Sequence, residues 1–161
     1  MPFHFTRRAA IATSAAALLA RPVMAQEPVT HEVQMLNADP DNPRARQVYI
    51  PRILVAQPGD TVKFISVDRG HNSESIPEMM PDGAENWEGA INDDIEITVS
   101  VPGFYGYKCT PHAPVGMVGL IVVQGAGMMD NREAAHGVRQ RGRARQVWDE
   151  IWEEVDGMDL V

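Results

Sequence analysis

The feature that most limits the possible folds is a series of short β-strands separated at close intervals by turn residues. Residues 95–101 alternate Ile or Val with Glu, Thr and Ser, a period-two pattern typical of a strand with one buried face. Pro-Gly pairs at residues 58–59 and 102–103 mark turns. Further strands are predicted at 31–37, 47–50, 53–56, 61–67, 104–108 and 117–123. With 161 residues in the chain, this pattern predicts one mainly β domain, a sandwich or barrel.

Two segments depart from the strand pattern. Residues 72–94 lack strand periodicity and contain two prolines and two glycines, which predicts a long surface excursion with irregular or helical turns. Beyond Gly127, helix signals replace strand signals, and we predict two C-terminal helices within residues 128–157. We therefore predict one domain over residues 26–161, with a β-sandwich at 26–125 followed by these helices.

The two C-terminal helices are predicted from capping signals and apolar spacing. Asp130 followed by Glu133 indicates the start of a short helix that Gly137 ends. The second helix has an apolar face and ends at Gly157; that face comprises Val147, Trp148, Ile151, Trp152 and Val155. The two tryptophans could form a ligand platform, but packing against the sandwich is the simpler interpretation.

The first 25 residues have the organisation of a signal peptide. Arg7 and Arg8 precede an apolar run at residues 9–20, and residues 23–25 resemble a cleavage site. The run is too short for an anchored membrane helix, and a buried N-terminal helix is the alternative interpretation. We predict export to the periplasm, by the general secretory route or, given Thr6-Arg7-Arg8, by the twin-arginine route.

The charge of the remaining chain is strongly negative. Three of the 14 basic residues and none of the 22 acidic residues lie in residues 1–25, so the rest carries a formal net charge of −11. Such a surface argues against nucleic acid and anionic membranes as partners.

Cys109, the only cysteine of the chain, begins a nine-residue segment that also contains His112 and Met117. A lone cysteine in an exported protein is a free thiol, an intermolecular link or a metal ligand. His71 follows the predicted strand 61–67. Two imidazoles, a thiolate and a weak axial thioether are the ligand set of a trigonal blue-copper site. The sequence therefore predicts one copper ion held by His71, Cys109, His112 and Met117.

Each of these residues is ambiguous when it stands by itself. Alone, a histidine is more often a structural or surface residue, a methionine entering a strand is usually core, and a free cysteine is often a small buried hydrophobe. Their combination in this order favours copper. Zinc could occupy the same ligands in vitro, but a thioether makes it a poor physiological choice. His31 and His136 lack nearby ligand-type partners in the sequence and are interpreted as surface or structural.

Residues 32–125 resemble the pseudoazurins, a family of cupredoxins. The matching stretches are 33–37, 58–62, 70–72, 76–85 and 108–119, with a looser match in the C-terminal helices. The resemblance implies a Greek-key β-sandwich with two C-terminal helices, one-electron transport in the periplasm, and the same four ligands. It also implies that the backbone N–H of Asn72 donates to the Cys109 thiolate. The Asn72 side chain is expected to tie the two ligand loops together.

The surroundings of His112 suggest how the electron leaves. Pro111, Ala113, Pro114, Val115 and Gly116 form an uncharged surround, here called the apolar collar. It could be merely a stiff loop, but uncharged apolar surfaces mark contact sites. We expect a monomer that docks redox proteins through this collar.

The chain also departs from the family pattern of lysines around the copper patch. Arg69 and Lys108 preserve part of that pattern, whereas residues 73–96 contain eight acidic residues and no Lys or Arg. This casts doubt on the copper nitrite reductases that bind a basic carrier. A basic cytochrome c or a dehydrogenase is the expected alternative partner.

Three functions compete on this sequence. A diffusible electron carrier needs only the predicted site. A copper enzyme such as a nitrite reductase needs further ligands, but only His31 and His136 remain after the leader, so we predict that the protein is not an enzyme. A copper trafficking or storage protein tends to carry Met or His arrays, whereas Met79-Met80 and Met128-Met129 are pairs.

Overall fold

The computed structural model of the chain describes residues 27–160. The predicted signal peptide, residues 1–25, lies outside the described residues. Within residues 27–160, no helix has both the length and the apolar character needed to span a bilayer. The elements are β1 Thr30–Ala38, β2 Arg46–Ile50, β3 Ile53–Ala56, β4 Asp60–Ile65, β5 Glu74–Ser75, β6 Ile95–Val99, β7 Gly103–Lys108, β8 Val118–Val123, α1 Arg132–Gly137 and α2 Arg143–Asp156.

The strands form two four-stranded sheets. The first has the order β2-β1-β4-β6, and the second has the order β3-β8-β7-β5. Each sheet contains one parallel pair, β1 with β4 and β3 with β8, and its other pairs are antiparallel. The predicted mainly β sandwich is therefore confirmed.

The space between the sheets is filled by side chains from both. Val33, Val62 and Phe64 of the first sheet share one buried cluster with Tyr107 and Ile121 of the second. On the outer face of the first sheet, Glu96 and Thr98 are exposed to solvent. Val99 lies on the inner face and is buried, as the alternation in residues 95–101 predicts.

The second sheet is covered on both faces, which explains why every residue of β8 is buried. Phe104 and Leu120 point away from the first sheet and pack with Trp148, Ile151 and Trp152 of α2. The two predicted C-terminal helices are present, and their tryptophans pack the helix onto the sheet as predicted. This packing makes α2 a support for the end of the sheet that carries the metal ligands.

Residues 72–94 differ from the expectation of a surface excursion. They contain the short strand β5, which was not predicted and pairs with β7, whereas the 3₁₀ turn at Pro77–Met79 is a helical turn of the expected kind. Ile76 and Met79 are buried in the cluster beneath the helices. The expectation was wrong on this point because the buried side chains of this segment follow neither a two-residue nor a 3.6-residue period.

Candidate metal centre

Three of the four predicted ligands, His71, Cys109 and His112, meet at one end of the sandwich, and Met117 lies on the same loop as two of them. His71 lies in the loop after β4, and Cys109 directly follows β7. His112 sits in the turn that follows, and Met117 directly precedes β8. His71, Cys109 and Met117 are fully buried, whereas His112 is partly exposed. Because β7 and β8 are adjacent strands, the loop that joins them places its ligands over the core.

Three potential ligand atoms converge in this space. The Cys109 Sγ lies 3.5 Å from His112 Nδ1 and 3.8 Å from His71 Nδ1. The two Nδ1 atoms are 3.1 Å apart, and all three atoms lie within 4.8 Å of one another. A thiolate with two imidazoles is a donor set that suits copper, because soft sulfur favours Cu(I) and imidazole retains Cu(II).

The orientation of the His71 ring is fixed from outside the site. Its Nε2 lies 3.0 Å from the Asn37 side-chain oxygen, which can only accept a hydrogen bond. Nε2 therefore carries the proton, and Nδ1 is left with a free lone pair directed at Cys109. Burial and the nearby His112 lower the pKa of His71, which favours the neutral, ligating form of the imidazole.

The Cys109 sulfur is buried but not without partners. Burial raises the pKa of the thiol, and hydrogen bonds from the backbone N–H groups of Asn72 and His112 act in the opposite direction. The effect of the Asn72 N–H on this pKa agrees with the donor that the resemblance implies. A cation bound at this point would remove the remaining barrier to ionisation, because a coordinating thiol is deprotonated.

The Asn72 side chain joins the two ligand-bearing loops, as predicted. Its Oδ1 accepts the Thr110 backbone N–H at 2.8 Å, and its Nδ2 donates to the Thr110 hydroxyl at 2.9 Å. The same Nδ2 donates to the Gly89 carbonyl at 2.9 Å. Since Asn72 follows His71 and Thr110 follows Cys109, these bonds fix the spacing of two ligands from buried positions.

The ligand loop is also closed by its own backbone. The Cys109 N–H donates to the Met117 carbonyl at 3.0 Å, and the Met117 N–H donates to the His112 carbonyl at 3.1 Å. Gly116 adopts a φ of 101°, a left-handed conformation that favours glycine. A Cβ there would lie 2.8 Å from the Val147 side chain of α2. The C-terminal helix therefore packs directly against the loop and restricts its motion.

The apolar collar lies at the surface around His112. Pro111, Pro114 and Val115 are exposed, with Val115 at 48%. Ala113 and Gly116 are partly exposed. Among the four candidate ligands, all of which lie in the described residues, His112 is the one whose side chain is partly exposed. The collar therefore surrounds the shortest route from the site to solvent.

The charges beside the collar are partly neutralised. Lys108 forms an ion pair with Glu74 at 3.4 Å, and the same carboxylate accepts the Thr110 hydroxyl at 2.6 Å. Lys108 is therefore a paired cation, whereas Arg69 is exposed and has no carboxylate within 4 Å among residues 27–160.

The remaining histidines have structural surroundings. His31 Nε2 lies 2.8 Å from a carboxylate oxygen of Asp60, which is buried. His136 packs edge-on against the Trp152 ring, with centroids 5.3 Å apart. The described residues thus bring neither histidine to the Cys109 cluster.

Sequence reasoning missed the supporting roles of Asn37, Thr110 and Glu74. Asn37 lies 34 positions before His71, on a strand parallel to the one that leads to the His71 loop. Spacing along the chain does not show such a contact. Thr110 lies between Cys109 and Pro111, and only its place beside the ligand indicated a supporting role.

Comparison with known proteins places these residues in a family context. Residues 39–124 match the copper-binding proteins of the plastocyanin/azurin family. A pseudoazurin of Paracoccus pantotrophus is 41% identical over 141 residues, which cover 86% of this chain and 92% of that protein. A pseudoazurin structure from Sinorhizobium superposes with a TM-score of 0.74 at 39% identity, covering 80% of this chain and 98% of that one. The pseudoazurin structure from Methylobacterium extorquens AM1 superposes with a TM-score of 0.71 at 35% identity, covering 78% of this chain and 98% of that one.

Proposed function

The chain belongs to the pseudoazurins, within the plastocyanin/azurin family of copper-binding proteins, and from this premise we propose that it shuttles single electrons between redox proteins of the periplasm. The family consists of blue-copper electron carriers rather than enzymes. His71, Cys109 and His112 are positioned to bind one copper ion. The observation that carries the proposal is the convergence of Cys109 Sγ and two imidazole Nδ1 atoms at the partly exposed end of the sandwich.

Met117 completes the proposed ligand set. Its side chain is fully buried in the same cluster as Cys109, and its backbone is hydrogen-bonded to both Cys109 and His112. A thioether held beside two imidazoles and a thiolate supplies the weak axial ligand of a blue-copper site.

Copper, when bound, supplies the one-electron couple, and the residues of the chain set the conditions for it. The buried positions of His71 and Met117 exclude water from the inner side of the site. The Asn37 contact to His71 and the Asn72 bonds to Thr110 hold the ligands before metal binds. A site that keeps one geometry in both oxidation states loses little energy to reorganisation when an electron passes.

Partners dock, in this proposal, over the apolar collar. The exposed prolines and Val115 present a desolvated contact surface around the His112 imidazole edge, where the electron crosses. A c-type cytochrome, a copper nitrite reductase or a dehydrogenase are the partner classes proposed. The chain acts as a monomer, and the leader proposed at residues 1–25 directs it to the periplasm.

The proposal is tested by loading the mature protein with Cu(II) and recording its visible spectrum and voltammogram. We expect an intense thiolate-to-copper charge-transfer band and a reversible one-electron wave. Cys109→Ala is expected to abolish the band. His31→Ala and His136→Ala serve as matched controls that keep it, because neither histidine lies in the cluster.

Two outcomes would contradict the proposal. A band that persists in Cys109→Ala would show that the thiolate is not a ligand. Rapid loss of copper to a weak chelator, with no reversible wave, would indicate a trafficking or storage protein instead. Met117→Leu separates the axial ligand from the other three: the band is expected to survive, with a higher midpoint potential, since removing a weak donor disfavours Cu(II).

A further inference from the structure

We propose that the protein has a second binding site, for a small aromatic carboxylate, in a cavity between its two C-terminal helices. The cavity encloses about 400 Å³ and is lined by residues of α1, of the loop 138–142 and of α2, a volume typical of small-molecule sites. The described residues that line it include none of the four candidate copper ligands. The site therefore goes beyond the electron-carrier function and does not depend on it.

The buried part of the cavity lining is apolar and aromatic. Met79, Trp148 and Trp152 line the cavity and are almost fully buried. The two indole rings are stacked, with centroids 6.2 Å apart and planes inclined by 29°. This pair packs α2 onto the second sheet and also lines the cavity. A flat apolar group suits such a lining, because aromatic rings pack favourably against one another.

The indole N–H of Trp148 is a buried donor without a partner. Trp148 is only 3% exposed, and residues 27–160 offer its Nε1–H no hydrogen-bond acceptor. Buried indole N–H groups usually have a partner, because an unmade hydrogen bond in the interior costs free energy. In the proposed complex, an oxygen of the ligand accepts this N–H.

The exposed part of the lining is mainly basic. Arg139 and Arg145 are exposed there, and neither has a carboxylate within 4 Å in the described part of the chain. Asp149 is the single acid among the described lining residues. A carboxylate can accept the Trp148 N–H with one oxygen and a guanidinium N–H with the other. An aromatic carboxylate therefore satisfies the apolar, the polar and the basic part of the lining together.

The elements around the cavity are tied to one another. The Gln140 side-chain Nε2 donates to Met79 Sδ at 3.6 Å, which joins the loop between the helices to the 3₁₀ turn that contains Met79. Arg132 of α1 forms an ion pair with Asp156 of α2. The ligand enters a space that already exists, so little binding free energy is lost to ordering the chain.

The place of binding is tested by NMR of the reduced, copper-loaded protein during titration with benzoate. The chain has three tryptophans, so it gives three indole N–H signals, and the Trp148 signal is the one missing in Trp148→Phe. Benzoate is expected to shift the Trp148 signal saturably, with a Kd below about 1 mM. The Trp87 signal is expected to stay in place, because Trp87 lies outside the cavity and its indole N–H already donates to Ser73.

Two analogues separate the charge of the ligand from its ring. Benzamide keeps the ring and carries no charge, whereas acetate keeps the carboxylate and has no ring. Each is expected to bind at least about fivefold more weakly than benzoate, because benzamide loses the pairing with arginine and acetate loses the burial of the ring.

Calorimetric titration with benzoate assigns the roles of the lining residues. Arg139→Gln and Arg145→Gln are each expected to weaken binding about two- to fivefold, the range for an exposed ion pair. Arg141→Gln is the matched control: it removes the same charge from an exposed residue of the same loop that does not line the cavity, and a smaller loss is expected. Trp148→Phe keeps an aromatic ring but removes the N–H, and it is expected to weaken binding about tenfold or more.

Three results would overturn the site. The first is a Trp148 signal that shows no saturable shift up to about 10 mM benzoate, ten times the expected Kd. The second is benzamide or acetate binding as tightly as benzoate. The third is a loss in Arg141→Gln as large as that in Arg139→Gln and Arg145→Gln, which would show a general attraction of charge. Retention of the blue band checks that each variant is folded, and each of these results leaves the copper assignment standing.

Discussion

The side chain of Asn72 offers the sharpest test of how the ligand loops are held together. It makes three hydrogen bonds, with lengths of 2.8, 2.9 and 2.9 Å, to Thr110 and Gly89. Each such bond contributes about 1 kcal/mol net, so Asn72→Ala is expected to lower the unfolding free energy of the metal-free protein by about 3 kcal/mol. With a typical dependence on urea, the midpoint of unfolding falls by about 1 to 2 M.

Urea unfolding of the metal-free protein, followed by tryptophan fluorescence and by circular dichroism, measures this loss. Asn86→Ala is the matched control, because the Asn86 side chain accepts one longer hydrogen bond, 3.2 Å from Ser75, and we expect a loss below about 1 kcal/mol. The copper band is expected to survive in Asn72→Ala, since the backbone N–H that reaches Cys109 remains. A loss no larger than that of the control would show that the side chain does not join the loops.

Three further predictions concern potential, association and pH. Pro111→Ala adds an N–H beside the Cys109 sulfur, and a hydrogen bond from it should favour Cu(I), in which the thiolate is more negative. The midpoint potential should rise by tens of millivolts, since about 1 kcal/mol of preference for Cu(I) equals about 40 mV. An unchanged or lower potential in cyclic voltammetry would contradict this prediction. Glu78→Gln and Glu88→Gln should slow association with a basic partner at low salt. Glu74→Gln should slow it less, because the Glu74 carboxylate is already paired with Lys108. Association rates that rise with salt in stopped-flow experiments would refute docking through the acidic residues. Burial raises the pKa of Asp60, but hydrogen bonds from two backbone N–H groups and a histidine outweigh it, so the pKa is lowered. The stability that Asp60 supplies is therefore present above its unfolded pKa of about 3.9 and is lost as pH falls through the lower folded pKa. The difference in unfolding free energy between the unaltered protein and Asp60→Asn should therefore shrink to zero in acid. A difference that stays constant with pH would contradict the role of the charge.

Local pattern was a good guide wherever a short segment determines its own environment. The alternation in residues 95–101 predicted a strand with one solvent face, and β6 occupies residues 95–99 of it with Glu96 and Thr98 exposed. The apolar spacing of residues 147–155 predicted the buried face of α2. In both cases the spacing of the apolar side chains along the sequence equals the repeat of the backbone, two residues in a strand and about 3.6 in a helix.

Chemical identity was as informative as pattern at the metal centre. A lone cysteine three residues before His112 in the segment between two strands restricts the chemistry before any fold is known. The structure adds that three of the four candidate ligands converge, because β7 and β8 pair and β4 leads His71 to the same end of the sandwich.

What the sequence determined by itself was therefore the strands other than β5, the two C-terminal helices and the residue types available for copper. What only the tertiary structure decided was which distant groups support them: Asn37 beside His71, Thr110 as the partner of the Asn72 side chain, and Glu74 paired with Lys108. The burial of Ile76 and Met79 belongs with these contacts. The physical reason is that such contacts join residues tens of positions apart, through sheet pairing and hydrogen bonds between loops. No period along the chain encodes these distances.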